Sequence, residues 1–263
     1  VPRSLDFQQG DRPTSGGWPE RLERWFPVPP VLGGGKLGFH NGNLGQARDA
    51  YTGALLWQYP ERGPPTGNRG RTNFGTVYGA SIGGQAVYLN LEVPGRPPRT
   101  NNLTYQNQPI IYPIPERRLF ALDLSTGERL WSHEPSRIRD WPEAEFLSTT
   151  TVDTPPLAIG DLLYVPMTRF EGRYHAFLCA FDRHTGRLRW KRRLCIAQME
   201  VNLFGRPVKE AAPSAVSSDG RNLFVCTNLG VVACVDGWTG LIRWIRGYPQ
   251  VEIPFSRLWY RVD

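Results

Sequence analysis

Residues 180–190 read Ala180-Phe181-Asp182-Arg183-His184-Thr185-Gly186-Arg187-Leu188-Arg189-Trp190. The apolar run that leads in, Ala176-Phe-Leu-Cys-Ala-Phe-Asp182, suits a strand. Asp182 can accept a hydrogen bond from the backbone two residues on and so open a turn. Gly186 tolerates the positive φ that closes it. Arg187-Leu-Arg-Trp190 then reads as a second strand carrying a large indole. The stretch is a β-hairpin with a tryptophan at a fixed depth.

The same pattern, Asp-x-x-Thr-Gly-x-x-x-Trp, occurs four times with identical internal spacing. The copies are Asp49, Thr52, Gly53, Trp57; Asp123, Thr126, Gly127, Trp131; Asp182, Thr185, Gly186, Trp190; and Asp236, Thr239, Gly240, Trp244. Two residues before each Asp stands a small side chain, Ala47, Ala121, Ala180 or Cys234. It is expected to leave room for the indole of a neighbouring copy. A fixed pattern recurring at uneven intervals of this length is the mark of a repeat architecture.

Upstream of each hairpin lie two further strand candidates separated by a tight turn. They are Pro30-Val-Leu and Lys36-Leu-Gly-Phe39 around Gly33–Gly35; Tyr78–Ile82 and Ala86–Leu91 around Gly83-Gly84; Pro155–Ile159 and Leu162–Pro166 around Gly160-Asp161; and Ala212–Ser217 and Asn222–Thr227 around Asp219-Gly220. Each unit is then four short antiparallel strands, which predicts an all-β propeller with about four blades. The blades are expected at about 28–60, 75–134, 147–194 and 211–248. Residues 1–27 read as an N-terminal extension or the end of a preceding blade, with Trp18–Phe26 a short amphipathic helix or a strand. Residues 249–263 read as the start of a further blade or a C-terminal extension.

Composition agrees with many short elements. The 263 residues include 28 Gly, 24 Pro and nine Trp, with 40% hydrophobic residues. That apolar content excludes wholesale disorder. No run of about 18 apolar residues occurs, so no transmembrane helix is expected. The formal net charge is +7, and the only lysines are Lys36, Lys191 and Lys209. An arginine-dominated excess of this size is read as a compositional bias, not as the footprint of nucleic acid.

The units resemble the PQQ-like (quinoprotein alcohol dehydrogenase-like and BamB-like) β-propeller repeat family. The resemblance rests on Ala-x-Asp-x-x-Thr-Gly-x-x-x-Trp and covers about residues 28–248. It implies that Trp57, Trp131, Trp190 and Trp244 pack on the adjacent blade's motif and so zip the ring. The family closes rings of roughly seven or eight blades; with about four here, the remainder of a longer chain, a second copy or a protein partner is expected to complete the ring. The family also implies a periplasmic or otherwise extracytoplasmic setting. No leader is visible before Val1.

Two functions follow from the resemblance. One is a non-enzymatic module that binds or scaffolds protein, with no cofactor. The other is part of a dehydrogenase using PQQ and calcium. In the enzymes of the family an adjacent-cysteine disulfide covers the quinone; here Cys179, Cys195, Cys226 and Cys234 are all separated. That favours the scaffold. Cys226 and Cys234 flank a turn, so a cross-hairpin pair and free buried thiols both remain open. Glu143, Glu145 and Asp153 are the nearest thing to a carboxylate cluster, without a recognisable ligand pattern. Calcium asks for six to eight oxygen ligands. The motif aspartates are read as structural, and His184 as exposed in its turn. His40, His133, His175 and His184 lack metal-ligand spacing.

Arg187, Arg189, Lys191 and Arg193 form the densest charge. Strict alternation puts them on one face of a strand, with Leu188 and Trp190 opposite. They are the candidate partner-binding basic edge, set against the simpler reading of a solvated, charge-protected edge strand. Residues 61–75 and 92–109 are expected to be long loops. Asn102-Leu-Thr104 within the second is a formal glycosylation sequon.

Overall fold

A computed structural model describes residues 29–42, 44–61, 79–93, 104–105, 108–109, 117–152, 154–198 and 214–249. Trp18–Phe26, most of the 61–75 segment, Asn102 and the tail beyond Pro249 lie outside them.

Nearly all regular structure is β, in four antiparallel sheets. The first holds β1 (Val31–Gly33), β2 (Lys36–His40), β3 (Gly45–Asp49) and β4 (Leu55–Tyr59) in chain order. The second holds β5 (Ser81–Gly83) and β6 (Ala86–Glu92), then β9 (Arg117–Asp123) and β10 (Arg129–Ser132). Between β6 and β9, β7 (Thr104–Tyr105) and β8 (Gln108–Pro109) pair as a small hairpin. That pairing lies within the 92–109 segment expected to be a long loop. The third sheet follows a six-residue helix, α1 (Ala144–Thr149), and holds β11 (Thr150–Thr151), β12 (Leu157–Ile159), β13 (Leu162–Phe170), β14 (Tyr174–Asp182) and β15 (Leu188–Ala197). Both β11 and β12 pair with β13. The fourth holds β16 (Ala215–Ser218), β17 (Asn222–Thr227), β18 (Val231–Asp236) and β19 (Ile242–Gly247) in order.

The burial patterns explain the stacking. In β6 six consecutive residues are buried, because both faces of the second sheet are covered. Val87, Leu89 and Leu91 pack with the first sheet around Ala47 and Trp57. Ala86 and Tyr88 pack the other way, with Leu163, Val165 and Phe181 of the third sheet. On β13 the odd positions face the second sheet, whereas Leu162 and Tyr164 join Leu223, Val225 and Val235 of the fourth. Each fully buried Leu or Val contributes roughly 1.5–3 kcal/mol, so the three inter-sheet cores hold the stack.

A β-bulge recurs at one place in every blade. Trp57, Trp131, Trp190 and Trp244 oppose Ala47, Ala121, Ala180 and Cys234, and the residue before each Trp has no cross-strand partner. The small residue therefore stands across from the indole of its own hairpin. The bulge also corrects the alternation expected of β15. With Arg189 as the extra residue, Leu188 pairs with Phe181 and Trp190 with Ala180, so the two lie on opposite faces.

Candidate functional site

The four motif turns share one geometry. Oδ1 of Asp49 accepts from the amides of Tyr51 (3.0 Å) and Thr52 (2.7 Å) and from the Thr52 hydroxyl (2.9 Å). Oδ1 of Asp182 and of Asp236 repeats all three bonds at 3.0–3.2 Å. Asp123 receives the Ser125 and Thr126 amides, both at 2.8 Å. Each Thr Oγ1 in turn accepts the amide two residues on. Gly53, Gly127, Gly186 and Gly240 all sit at φ between 68° and 75°, the region where only glycine is unstrained. These bonds hold the carboxylates charged. The Thr239 amide, the Arg243 guanidinium and the Thr239 hydroxyl bring Asp236 down to about 2. For Asp182 burial pushes upward, but Arg189, Thr185 and the His184 amide together outweigh it and also leave it at about 2.

The indoles connect one blade to the turn of the next. Nε1 of Trp57 donates to Leu124 O at 2.9 Å, Nε1 of Trp131 to Arg183 O at 2.9 Å, and Nε1 of Trp190 to Gly237 O at 3.1 Å. In each case the acceptor directly follows the next motif Asp. The ring lies on the glycine of that turn: a Cβ added to Gly127, Gly186 or Gly240 would fall 2.6–2.7 Å from the indole of Trp57, Trp131 or Trp190. Two further contacts recur. The hydroxyls of Tyr88 and Tyr164 reach the same carbonyls, Arg183 O (3.3 Å) and Gly237 O (3.1 Å). Two residues after the Trp, His133 Nε2 meets Gly186 O at 2.8 Å and Arg192 Nε donates to Gly240 O at 2.6 Å. The repeat pattern does not announce these residues. The sign was the polar or aromatic side chain that always stands two beyond the Trp: Tyr59, His133, Arg192, Arg246.

His133 is buried among Trp131, Phe181 and Trp141, with ring centroids 4.8–5.9 Å away. Burial lowers its pKa to about 4, against the opposing pull of the Gly186 carbonyl. His40 is also buried, meets Gly79 O at 2.9 Å, and is likewise lowered to about 4, chiefly by burial. His184 is exposed in its turn, beside Asp161 at 3.4 Å.

The ends of the arc differ from its interior. Trp57 and Trp131 are buried, whereas Trp244 is 39% exposed. Among the described residues nothing lies within 4 Å of a Cβ added to Gly53, whose carbonyl accepts from Arg48 Nη1 at 2.9 Å. The structure thus brings Trp57, Trp131 and Trp190 onto Gly127, Gly186 and Gly240, and among the described residues places nothing comparable on Gly53.

The basic edge separates into individual roles. The Arg187 guanidinium lies 3.3 Å from Glu143 and stacks over Trp141 at 4.5 Å. Arg189, the bulge residue, pairs with Asp182 at 2.6 Å, as Arg243 does with Asp236. Lys191 lies over the Phe146 ring at 4.2 Å. Arg193 is exposed. In the first two blades the bulge residues are Leu56 and Leu130, both exposed.

Cysteine pairing is absent: all four thiols are free. In the β17–β18 register Cys226 opposes Val232 and Cys234 opposes Phe224, so the two are offset. Burial pushes the Cys179 thiol up, out of the range of a reactive thiolate. Of the clustered carboxylates, Glu143 is engaged elsewhere. Glu143 Oε1 accepts the Leu188 amide at 3.2 Å and faces Arg187, and Asp153 lies outside the described residues. Among the described residues no group of three or more His, Cys, Asp or Glu is placed to hold a metal.

Stacked antiparallel sheets of four or five strands, each carrying the tryptophan hairpin, are arranged as propeller blades. A family model described as outer membrane protein assembly factor BamB matches residues 15–246, and the chain belongs to that family. Among solved structures it resembles a quinohemoprotein alcohol dehydrogenase from Comamonas testosteroni, at 15% identity and TM-score 0.54, covering 86% of this chain and 36% of that one. It also resembles a europium-containing methanol dehydrogenase, at 14% identity and TM-score 0.54, covering 85% and 42%. BamB from Moraxella catarrhalis aligns at 16% identity and TM-score 0.34, covering 83% and 63%, a likeness too distant to add to the argument. The chain thus spans about two fifths of the length of the two dehydrogenases. No curated protein matches it.

Proposed function

We propose that the chain is a non-enzymatic propeller module that binds or scaffolds protein, in the cell envelope or as a subunit of a larger assembly. The observation that carries this reading is where its reactive side chains go. Each motif aspartate is taken up by its own turn. Glu143 is taken up by Arg187 and the Leu188 amide, and His133 by the joint to the next blade. The family match, described as an assembly factor, points the same way and supports an extracytoplasmic setting. Among the described residues no helix is long and apolar enough to cross a membrane.

The surface for a protein partner is the outer rim. Leu56 and Leu130 are exposed on the first two blades, and Arg189, Lys191 and Arg193 on the third. An acidic segment with apolar residues fits that sequence of contacts. The test is a photo-crosslinking residue at Arg193 in the full-length protein in its own cells. One discrete protein adduct, lost when Lys191 and Arg193 are changed to Glu, is expected. Absence of any adduct, together with alcohol oxidation after loading with PQQ and calcium, overturns the reading in favour of the dehydrogenase.

A further inference from the structure

The second blade is held on both sides by a buried histidine. His40 of the first blade and His133 of the second each meet a carbonyl of the blade that follows, Gly79 O at 2.9 Å and Gly186 O at 2.8 Å. A carbonyl only accepts, so Nε2 carries the proton in both rings. The other nitrogen is badly placed for a second proton. Nδ1 of His40 accepts the Gly42 amide at 3.1 Å, so a proton there would set two N–H groups against each other. The same turn is tied to the second blade through Gly42 O, which accepts from Arg117 Nη1 (2.9 Å) and from the Glu92 amide (2.7 Å). Nδ1 of His133 is buried with no hydrogen-bond partner, among the rings of Trp131, Trp141 and Phe181. A proton there would be a charged, buried donor without an acceptor.

The surrounding charges mostly reinforce this. Arg117 on β9 faces His40 and Arg118 on β9 faces His133, and both disfavour a further cation. The Asn90 side chain on β6 pulls His40 the other way more weakly, as Glu143, just ahead of α1, does for His133.

The joint between the third and fourth blades is built differently. Where the second blade has His133 it has Arg192, whose Nε donates to Gly240 O at 2.6 Å and which stays charged. The chain has four histidines, and the other two are not part of this joint. His175 stacks on Phe177 of its own strand and lies 3.9 Å from Glu171, and His184 is exposed beside Asp161. The carboxylates of the third and fourth motif turns, Asp182 and Asp236, are held at about 2 and stay ionised through mild acid.

We propose that the second blade is an acid-sensitive element of the fold: protonation of His40 and His133 frees it from both neighbours, while the joint between the third and fourth blades holds. Each ring titrates at about 4 in the closed joint and regains its ordinary value near 6.5 once the joint opens. At about pH 5 that difference favours opening by about thirtyfold per histidine. Folded chains open in such local units where one region is weaker than the rest. The cell-envelope setting proposed above would bring the chain into contact with external acid. The inference itself rests on the blade joints and not on the rim partner.

The experiment is hydrogen exchange of the indole Nε1–H groups in the full-length protein, by NMR at about pH 7.5 and about pH 5, with each rate divided by that of free indole at the same pH. All three joint indoles should be protected at the higher pH. At the lower pH, protection of Trp57 and Trp131 should fall by about thirtyfold and that of Trp190 should change by less than about twofold. In His133→Asn, which keeps a donor for Gly186 O, Trp131 should stay protected in acid while Trp57 still loosens. If that variant is already unprotected at about pH 7.5, the comparison of Trp131 with Trp190 in the parent protein decides alone. Loss of protection at Trp57, Trp131 and Trp190 together, or Trp131 still protected at about pH 5, overturns the proposal. Either result leaves the rim crosslink at Arg193 untouched, so the two readings fail separately.

Discussion

The indole of Trp131 lies on Gly186, a residue of the next blade whose φ of 73° already excludes most side chains. A Cβ there would stand 2.6 Å from Cε3 of the ring. Gly53 has the same turn and nearly the same φ, with nothing among the described residues within 4 Å of an added Cβ. Substituting Ala at the two positions therefore separates backbone strain from contact. Gly53→Ala is expected to cost about 1–2 kcal/mol, the left-handed penalty alone. Gly186→Ala is expected to cost a further 1–3 kcal/mol or so for overpacking against the ring. Urea unfolding of both variants measures the difference. Equal costs would remove the ring from the joint.

The indoles themselves should divide in the same way. Trp131→Ala empties an interior site and is expected to destabilise by about 3–5 kcal/mol. Trp244→Ala, at a 39% exposed position, is expected to cost less than about 1 kcal/mol. Thermal denaturation of the double variant Trp131→Ala, Trp190→Ala is the harsher test; a melting point near that of the parent would contradict the assignment of these residues to the joints.

Much of this could be read from the chain beforehand, because a hairpin motif with fixed spacing is a local signal. The turn bonds of Asp49, Asp123, Asp182 and Asp236 lie within four residues, so side-chain type alone implies them. What lay beyond reach was tertiary or irregular. The bulge at Arg189 adds one unpaired residue to β15 and turns Leu188 away from Trp190; simple alternation has no term for it. Helix α1 is six residues long and has no side-chain N-cap bond, so it carries little helical pattern. The carbonyl that each indole meets lies 47–67 residues away in sequence. His133 looked like an isolated histidine until its neighbours were in place.

Stability should rise with pH in a window set by the buried histidines. His40 and His133 titrate near 6.5 when unfolded and near 4 when folded. Between those values the unfolded chain binds protons that the folded chain refuses. Stability is therefore fully present above about pH 6.5 and falls as the pH drops to about 4, by roughly 3 kcal/mol per histidine. The carboxylates act lower: Asp182 and Asp236, held near 2, lose their stabilisation only below about pH 4. His133→Asn, which does not titrate and can still donate to Gly186 O, should remove about half of the upper window, leaving the share of His40, and spare the lower. Urea midpoints from pH 3 to 8 report both; an unchanged slope in the variant would remove His133 as the cause.

The Asp182 turn gives a smaller, graded test. Asp182→Asn keeps an oxygen for the His184 and Thr185 amides and loses the ion pair with the largely exposed Arg189. The expected cost is under about 1 kcal/mol. Asp182→Ala strands those donors and should cost about 1–2 kcal/mol, as loss of a comparable side-chain cap does. Chemical denaturation ranks the two, and a reversed order would show the ion pair to matter more than the turn.

The central claim is that each interior indole is bonded to the blade that follows it. Hydrogen exchange of the indole Nε1–H groups, followed by NMR and assigned with Trp→Phe variants, tests it most directly. Trp57, Trp131 and Trp190 should exchange slowly, released only with unfolding. Rapid exchange at Trp57, Trp131 and Trp190 in a folded chain would contradict the account.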